Sequence, residues 1–494
     1  MNCNDRDFLG LNPADRLALS RRTFLKQSAG GIGLAALGSI LGPSAFAGKP
    51  EVTGFPNFKP KAKKIIYLFQ SGAPSQMDLF DPKPGMAKFR AQDLPASIRQ
   101  GQRLTTMTSG QKTFPVAPSI FNFKQHGQSG MWFSEVMPHI ASKADEWCMV
   151  RSMFTEAINH DPAITFMQTG SQLAGRPSIG SWASYGLGSV NDNLPNYVVM
   201  SSFGSGRPDD QPLYDRLWGA GFLPSKHQGV KFRNKGERVL YLKDPEGMSR
   251  DIRRESLDEI SALNQQRHGV LGDPEIQTRI AQYELAFRMQ TSVPEVADLS
   301  QESPATLAMY GDSVKTPGSF AANCLQARRL VEKGVRFVHL FDWGWDFHGT
   351  AADTGIEQGL TKKMAATDKP VMALINDLKE RGLLEDTLIV WGGEFGRTPF
   401  REGRTSKSQI LGRDHYPDCF TVMMAGGGVK GGFQFGETDE MGFAGVKDKV
   451  HVHDLQATIM HLLGFDHERL TYRFQGRDFR LTDVHGHVVK DILA

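Results

Sequence analysis

Six short apolar runs, residues 64–69, 147–150, 197–200, 335–341, 387–391 and 420–424, recur along the chain with amphipathic segments between them. No other feature constrains the fold as much. Runs of this length read as strands buried on both faces, whereas the segments 163–169, 181–187, 250–266, 274–290, 319–332, 369–381 and 452–463 carry apolar side chains at helical spacing. Gly334, Gly382 and Gly464 stand where three of these helices should stop. Strands connected through helices pair in parallel, and the helices then cover both faces of the sheet. The expectation is an α/β fold: a mostly parallel central sheet with helices on both faces. Residues 84–130 and 203–245 interrupt the pattern with polar, Gly-containing sequence and read as long loop excursions over the sheet's edge or mouth. No linker is visible elsewhere, so residues 48–494 read as a single domain.

Residues 1–47 read as an export signal. Ser20, Arg21, Arg22, Thr23, Phe24, Leu25 and Lys26 form a twin-arginine motif, a weakly apolar stretch follows at 28–41, and Ala45, Phe46 and Ala47 supply a small-residue cleavage site. The stretch is broken by Gly30, Gly31, Gly33 and Gly38 and is too short for the ~30 Å hydrocarbon core, so a membrane anchor is the poorer explanation. The expected destination is the periplasm or cell surface, reached through the twin-arginine machinery, with no integral membrane segment in the mature chain. That route takes folded cargo, which hints at a metal loaded beforehand. Lys and Arg number 57 against 54 Asp and Glu, so the totals hold no basic footprint for nucleic acid. Once Cys3 leaves with the leader, Cys148, Cys324 and Cys419 remain, too few and too scattered for a zinc site of paired cysteines.

Polar residues able to do chemistry follow the expected strands. Residues 70–78 follow the first, Asn159, His160 and Asp161 the second, residues 342–348 the fourth and residues 392–397 the fifth. Open α/β sheets bind ligands at this carboxyl edge, where loops converge and helix N-termini offer N–H donors. Arg413, Asp414 and His415 precede the last run and join the others if their loop folds back over the same edge. Asp346, His348, Glu394 and His415 together offer hard oxygen and borderline nitrogen, a donor set suited to one divalent ion, with Zn²⁺, Mn²⁺ and Ca²⁺ left open. Ser71, Trp345 and Arg413 are the candidate ligand contacts beside them. Arg397 either presents a bidentate fork to a phosphate or sulfate oxygen or pins a loop through a carboxylate. His451, His453, His461, His467, His485 and His487 mostly read as structural, with His453 the strongest exception.

Several of these pieces carry a resemblance: Ser71 to Ser75 with Asp78 and Asp81; Asn159, His160, Asp161; Met167 to Gly170; Trp345, Asp346, His348; Gly393, Glu394, Arg397, Thr398, Pro399; Arg413, Asp414, His415; and the stretch Phe474 to Gly486. Through them the chain resembles the exported bacterial family named domain of unknown function 1501. That family is similar in turn to the alkaline phosphatase and sulfatase superfamily. The resemblance implies an alkaline phosphatase-like fold and an exported metal-dependent hydrolase of phosphate or sulfate esters, anionic glycans among them.

Carried over residue by residue, the superfamily's nucleophile position falls on or near His160 and Asp161. Asp346 and His348 match an Asp and a His after a later strand, Glu394 and Phe395 stand where an Asp-His pair is expected, and His415 matches a further His. Two departures follow: no Cys, Ser or Thr stands at the nucleophile position, and Phe395 removes a ligand of a second metal. The implied chemistry is attack by a metal-bound water at a single metal, with His160 or Asp161 as base. Cys324 superficially resembles the sulfatase cysteine that becomes formylglycine, but Gln326 breaks that motif and the segment reads as a helix. The rival expectation is a non-catalytic protein that keeps the hydrolase fold and binds an anionic ligand or glycan.

Overall fold

The computed structural model describes residues 54–99, 108, 110–203, 213–234, 236–240, 242–403 and 410–494. The export signal and its cleavage site, and parts of both loop excursions, lie outside the described residues.

Each of the six apolar runs is a strand: β1 (Lys64–Ser71), β2 (Trp147–Phe154), β3 (Tyr197–Ser201), β5 (Phe337–Trp343), β6 (Thr387–Gly392) and β7 (Phe420–Ala425). Three shorter strands complete a nine-stranded sheet, β4 (Val230–Phe232), β8 (Phe433–Phe435) and β9 (Val450–His451). The order is β8-β2-β7-β6-β1-β5-β3-β4, with β9 also paired to β2. β1 pairs in parallel with β5 and β6, β5 with β3, and β3 with β4. β7 is antiparallel to both of its neighbours, β6 and β2. This reversal has a consequence for the site, because the residues ahead of β7 lie at the edge where the parallel strands end.

The expected helices are α1 (His160–Thr169), α2 (Ile179–Leu187), α3 (Arg250–Leu271), α4 (Pro274–Ala297), α5 (Phe320–Glu332), α6 (Thr361–Glu380) and α7 (Val452–Leu462). Alternate residues of β1 divide between two cores. Ile66 and Leu68 pack with Leu325 and Leu330 of α5 and Leu374 and Leu378 of α6. Ile65, Tyr67 and Phe69 pack with Ile164 of α1, Trp182 of α2 and Leu455 and Ile459 of α7. Both faces of the sheet are therefore covered by helices, and each such fully buried side chain stabilises the fold by roughly 1.5–3 kcal/mol.

Two details differ from the expectation. β4 lies inside the second expected loop excursion, and the first ends in a hairpin of Phe123–His126 with Met131–Ser134. Strands of three or four residues in polar sequence carry too little alternation to be seen. α6 starts at Thr361, not residue 369, and holds Pro370 in its interior. The buried Met364 and Thr367 show that the packed face begins earlier than the apolar spacing suggested. Cys324 lies within α5, in the core, and Cys148, Cys324 and Cys419 are all buried free thiols.

Candidate metal centre

The carboxyl edge brings five segments together. At the end of β1, Gly72 takes φ +112°, and a Cβ there would lie 2.7 Å from the Asp346 backbone nitrogen and 2.8 Å from that of Trp345. Only glycine allows the loop after β5 to close so tightly on β1. That loop is anchored from below: the buried Asp342 carboxylate meets the Lys363 ammonium of α6 at 2.8 Å and accepts from the Trp345 indole at 2.9 Å. His160 is the first residue of α1, after β2. His415 comes from the two-residue pair Gly396–Arg397 with His415–Tyr416, immediately before the antiparallel β7.

Three imidazoles and a carboxylate converge there. One ligand atom each from His160, Asp346, His348 and His415 lies within 4.8 Å of all the others. Around the Asp346 carboxylate stand His348 Nε2 at 2.9 Å, His160 Nε2 at 3.3 Å and His415 Nε2 at 3.4 Å, and the Nε2 atoms of His348 and His415 are 3.1 Å apart. The Nδ1 atoms all face acceptors behind: Glu394 Oε1 at 2.5 Å for His160, Glu402 for His348 and the Ile158 carbonyl at 3.0 Å for His415. With Nδ1 donating, the Nε2 lone pairs are aimed at one another, an arrangement that needs a proton or a cation between them. His160 Nε2 is buried without a partner of hydrogen-bonding geometry. Three nitrogens and one oxygen around an orphaned imidazole nitrogen fit a tetrahedral divalent ion such as Zn²⁺.

Electrostatics agree with a site that holds positive charge. Burial pulls the His160 imidazole down, but the Asp346 and Glu394 carboxylates outweigh it and hold it up at about 9. Burial likewise opposes charge on Asp346, yet Arg397 and His160 keep it well below the usual carboxylate range. His415 is pushed well down by its burial and by His160. The Phe395 ring lies 5.1 Å from the His160 ring and 4.8 Å from that of His415, closing one side with an apolar wall. The Asp346 side chain is 22% exposed against 3% for His415, so the centre opens to solvent over Asp346.

Glu394 does not join this quartet. It stands behind His160 and accepts from the Gly72 N–H at 3.0 Å. His160 takes the inner position. Asp161 points to an exposed pairing with Arg216. Arg397 is buried and donates to Ala73 O at 3.0 Å, Gly72 O at 2.5 Å, Arg413 O at 3.1 Å and the Asp346 carboxylate. Of its two roles, pinning loops is the one the geometry displays. Arg413 is fully buried in a forked contact with Asp78, at 2.7 and 3.2 Å. Trp345 is fully buried in the core, with no ring face open to a ligand, and Ser71 is buried at the end of β1 in register with Trp343. His453 hydrogen-bonds to the Gly170 carbonyl at 3.1 Å and stacks on His485, and among the described residues no metal-ligand group forms there. The residue that sequence reasoning missed is Glu402, which belongs to no motif and does not closely follow any of the apolar runs.

A family model described as "Protein of unknown function (DUF1501)" matches residues 62–493. No curated protein matches the chain. Among solved structures, Ps i-CgsB in complex with k-i-k-neocarrahexaose is 12% identical and aligns over 82% of this chain and 72% of that one, with a TM-score of 0.36. The PsFucS1 sulfatase from Pseudoalteromonas sp. is 14% identical over 84% and 69%, with a TM-score of 0.33. A protein in the alkaline phosphatase superfamily from Vibrio parahaemolyticus is 9% identical over 83% and 68%, with a TM-score of 0.32. Likenesses this distant carry no weight for what this chain does, which rests on its own residues.

Proposed function

The chain belongs to the DUF1501 family, and we propose that it is an exported, metal-dependent hydrolase of phosphate or sulfate esters. The observation that carries the proposal is the convergence of His160, Asp346, His348 and His415 on one point open to solvent. These four would hold one divalent ion. When bound, the ion supplies positive charge against the negative charge that develops as an ester is cleaved.

The chain's own groups do the rest. Arg397 holds Asp346 in place and balances its charge, so the carboxylate stays ionised and oriented. Phe395 packs against the His160 and His415 rings and screens them from water, which strengthens each charge interaction inside. No Cys, Ser or Thr stands at the position where the superfamily resemblance places a nucleophile, on or near His160 and Asp161, which favours direct attack by water over a covalent ester on the enzyme. With the ion on its Nε2, His160 would keep its one proton at Nδ1, where it donates to the Glu394 carboxylate. The twin-arginine motif supports loading of the ion in the folded state before export to the periplasm or cell surface.

A second reading draws on Arg397 and Arg413, both committed to the protein's own groups. A site with neither arginine free suits a non-catalytic protein that binds an anionic ligand through its metal alone. Aryl phosphate and aryl sulfate esters, offered to the purified mature protein with and without a chelator, separate the two. Turnover that the chelator abolishes and Zn²⁺ or Mn²⁺ restores is the expected result; saturable binding of phosphate or sulfate without turnover supports the second reading.

A further inference from the structure

The three imidazoles of the quartet differ in what stands behind them. His415 has a backbone carbonyl at Nδ1, whereas His160 and His348 each have a fully buried glutamate, Glu394 and Glu402. A carboxylate costs free energy to bury, and a fold gains nothing obvious from placing two of them behind histidines. Both are built in. Glu394 accepts from the Gly72 N–H with both oxygens, at 3.0 and 3.3 Å. Glu402 is held by its N–H to Gly412 O at 3.1 Å, and Gly412 itself presses on His348 so closely that a Cβ would meet the His348 carbonyl oxygen at 1.9 Å. The backbone is thus shaped to bring Glu402 to His348.

We propose that Glu402 and Glu394 are positioning residues that act through His348 and His160, fixing each imidazole with its proton on Nδ1 and its Nε2 lone pair toward the metal. The inference rests on the metal reading above and goes further by assigning two residues outside the quartet, although Glu402 also lies within ligand distance of His348 and Asp414. A carboxylate behind an imidazole fixes the ring's tautomer and orientation and raises its basicity, and removal of such a partner lowers metal affinity by about 10–100-fold. Glu394 is then an orienting group and not a ligand, although it follows a strand as a ligand would.

Cobalt tests this on the full mature protein, because the Co²⁺ absorption bands report the ligand set while titration reports affinity. Glu402→Gln and Glu394→Gln are each expected to bind Co²⁺ about 10–100-fold more weakly than wild type with the same band positions, whereas His348→Ala should alter the bands. Glu402→Asp, which keeps the charge but shortens the reach, should fall between wild type and Glu402→Gln. It also serves where the Gln variant fails to fold. Shifted bands in Glu394→Gln would make Glu394 a ligand and overturn its part of the proposal. Affinity within twofold of wild type in the folded Glu402 variants would overturn the other part and leave the metal reading standing. If wild type itself binds neither Co²⁺ nor Zn²⁺, the metal reading fails, and this inference with it.

Discussion

Arg397 donates to three backbone carbonyls and one carboxylate while buried, so it joins the loop after β1, the loop after β5 and the segment before β7. Arg397→Ala leaves the Asp346 charge and those carbonyls uncompensated, and the expected cost is about 3–5 kcal/mol, read as a lower melting temperature. An arginine that only gripped substrate would change KM and leave the melting temperature alone. His160 gives a pH dependence with a definite sign. In the ion-free protein its folded-state value of about 9 lies above the ordinary 6.5, so its contribution to stability is complete below about pH 6.5 and is lost as pH rises through about 9. The urea midpoint of chelator-treated protein should fall across that window, and in His160→Asn the fall should be smaller. A midpoint that rises there would show that His160 is not held as an imidazolium. Because an ion and a proton compete for Nε2, metal should bind more tightly over the same range. At this scale the sequence was legible in part. Asp346 and His348 sit after an apolar run and His415 sits before one, but a carboxylate after a strand reads the same whether it faces the centre or stands behind an imidazole, as Glu394 does. Glu402 offered no signal, since its approach to His348 depends on how a loop folds back.

The elements that build the centre are short connections on long supports. Gly72 joins β1 to the loop that carries Asp346, and Gly72→Ala places a side chain at φ +112° against backbone that cannot swing aside. The expected result is a variant that folds less stably and binds little metal, measured by thermal melting and bound-ion content together; normal metal content would show that the loop has slack. α5 makes the opposite prediction. Cys324 faces the core from mid-helix and its thiol is raised well above the usual range by burial. Cys324→Ala should leave any activity largely intact, and mass spectrometry should find an unmodified thiol, not formylglycine. Long periodic elements such as α5 could be read from sequence because burial on one face repeats every three or four residues. β4, β8 and β9, of two or three residues each, could not, because their pairing is set by neighbouring strands and not by their own pattern.

Across the whole molecule, sequence alternation was enough to give a mostly parallel sheet with helices on both faces, since each run is long enough to be buried on both sides. The direction of β7 was not in that pattern. It is the reversed strand among its neighbours, and the reversal carries His415 to the edge where Asp346 and His348 emerge, so the centre depends on topology as much as on the residues themselves. The chemistry of the centre depends on one ion held by those four groups. X-ray absorption at the metal edge, with elemental analysis of protein taken from the export compartment, tests this most directly. The predicted result is one ion per chain with nitrogen and oxygen neighbours at about 2.0–2.1 Å and scattering from about three imidazoles. A metal content well below one ion per chain, or a bound ion without imidazole scattering, would contradict it.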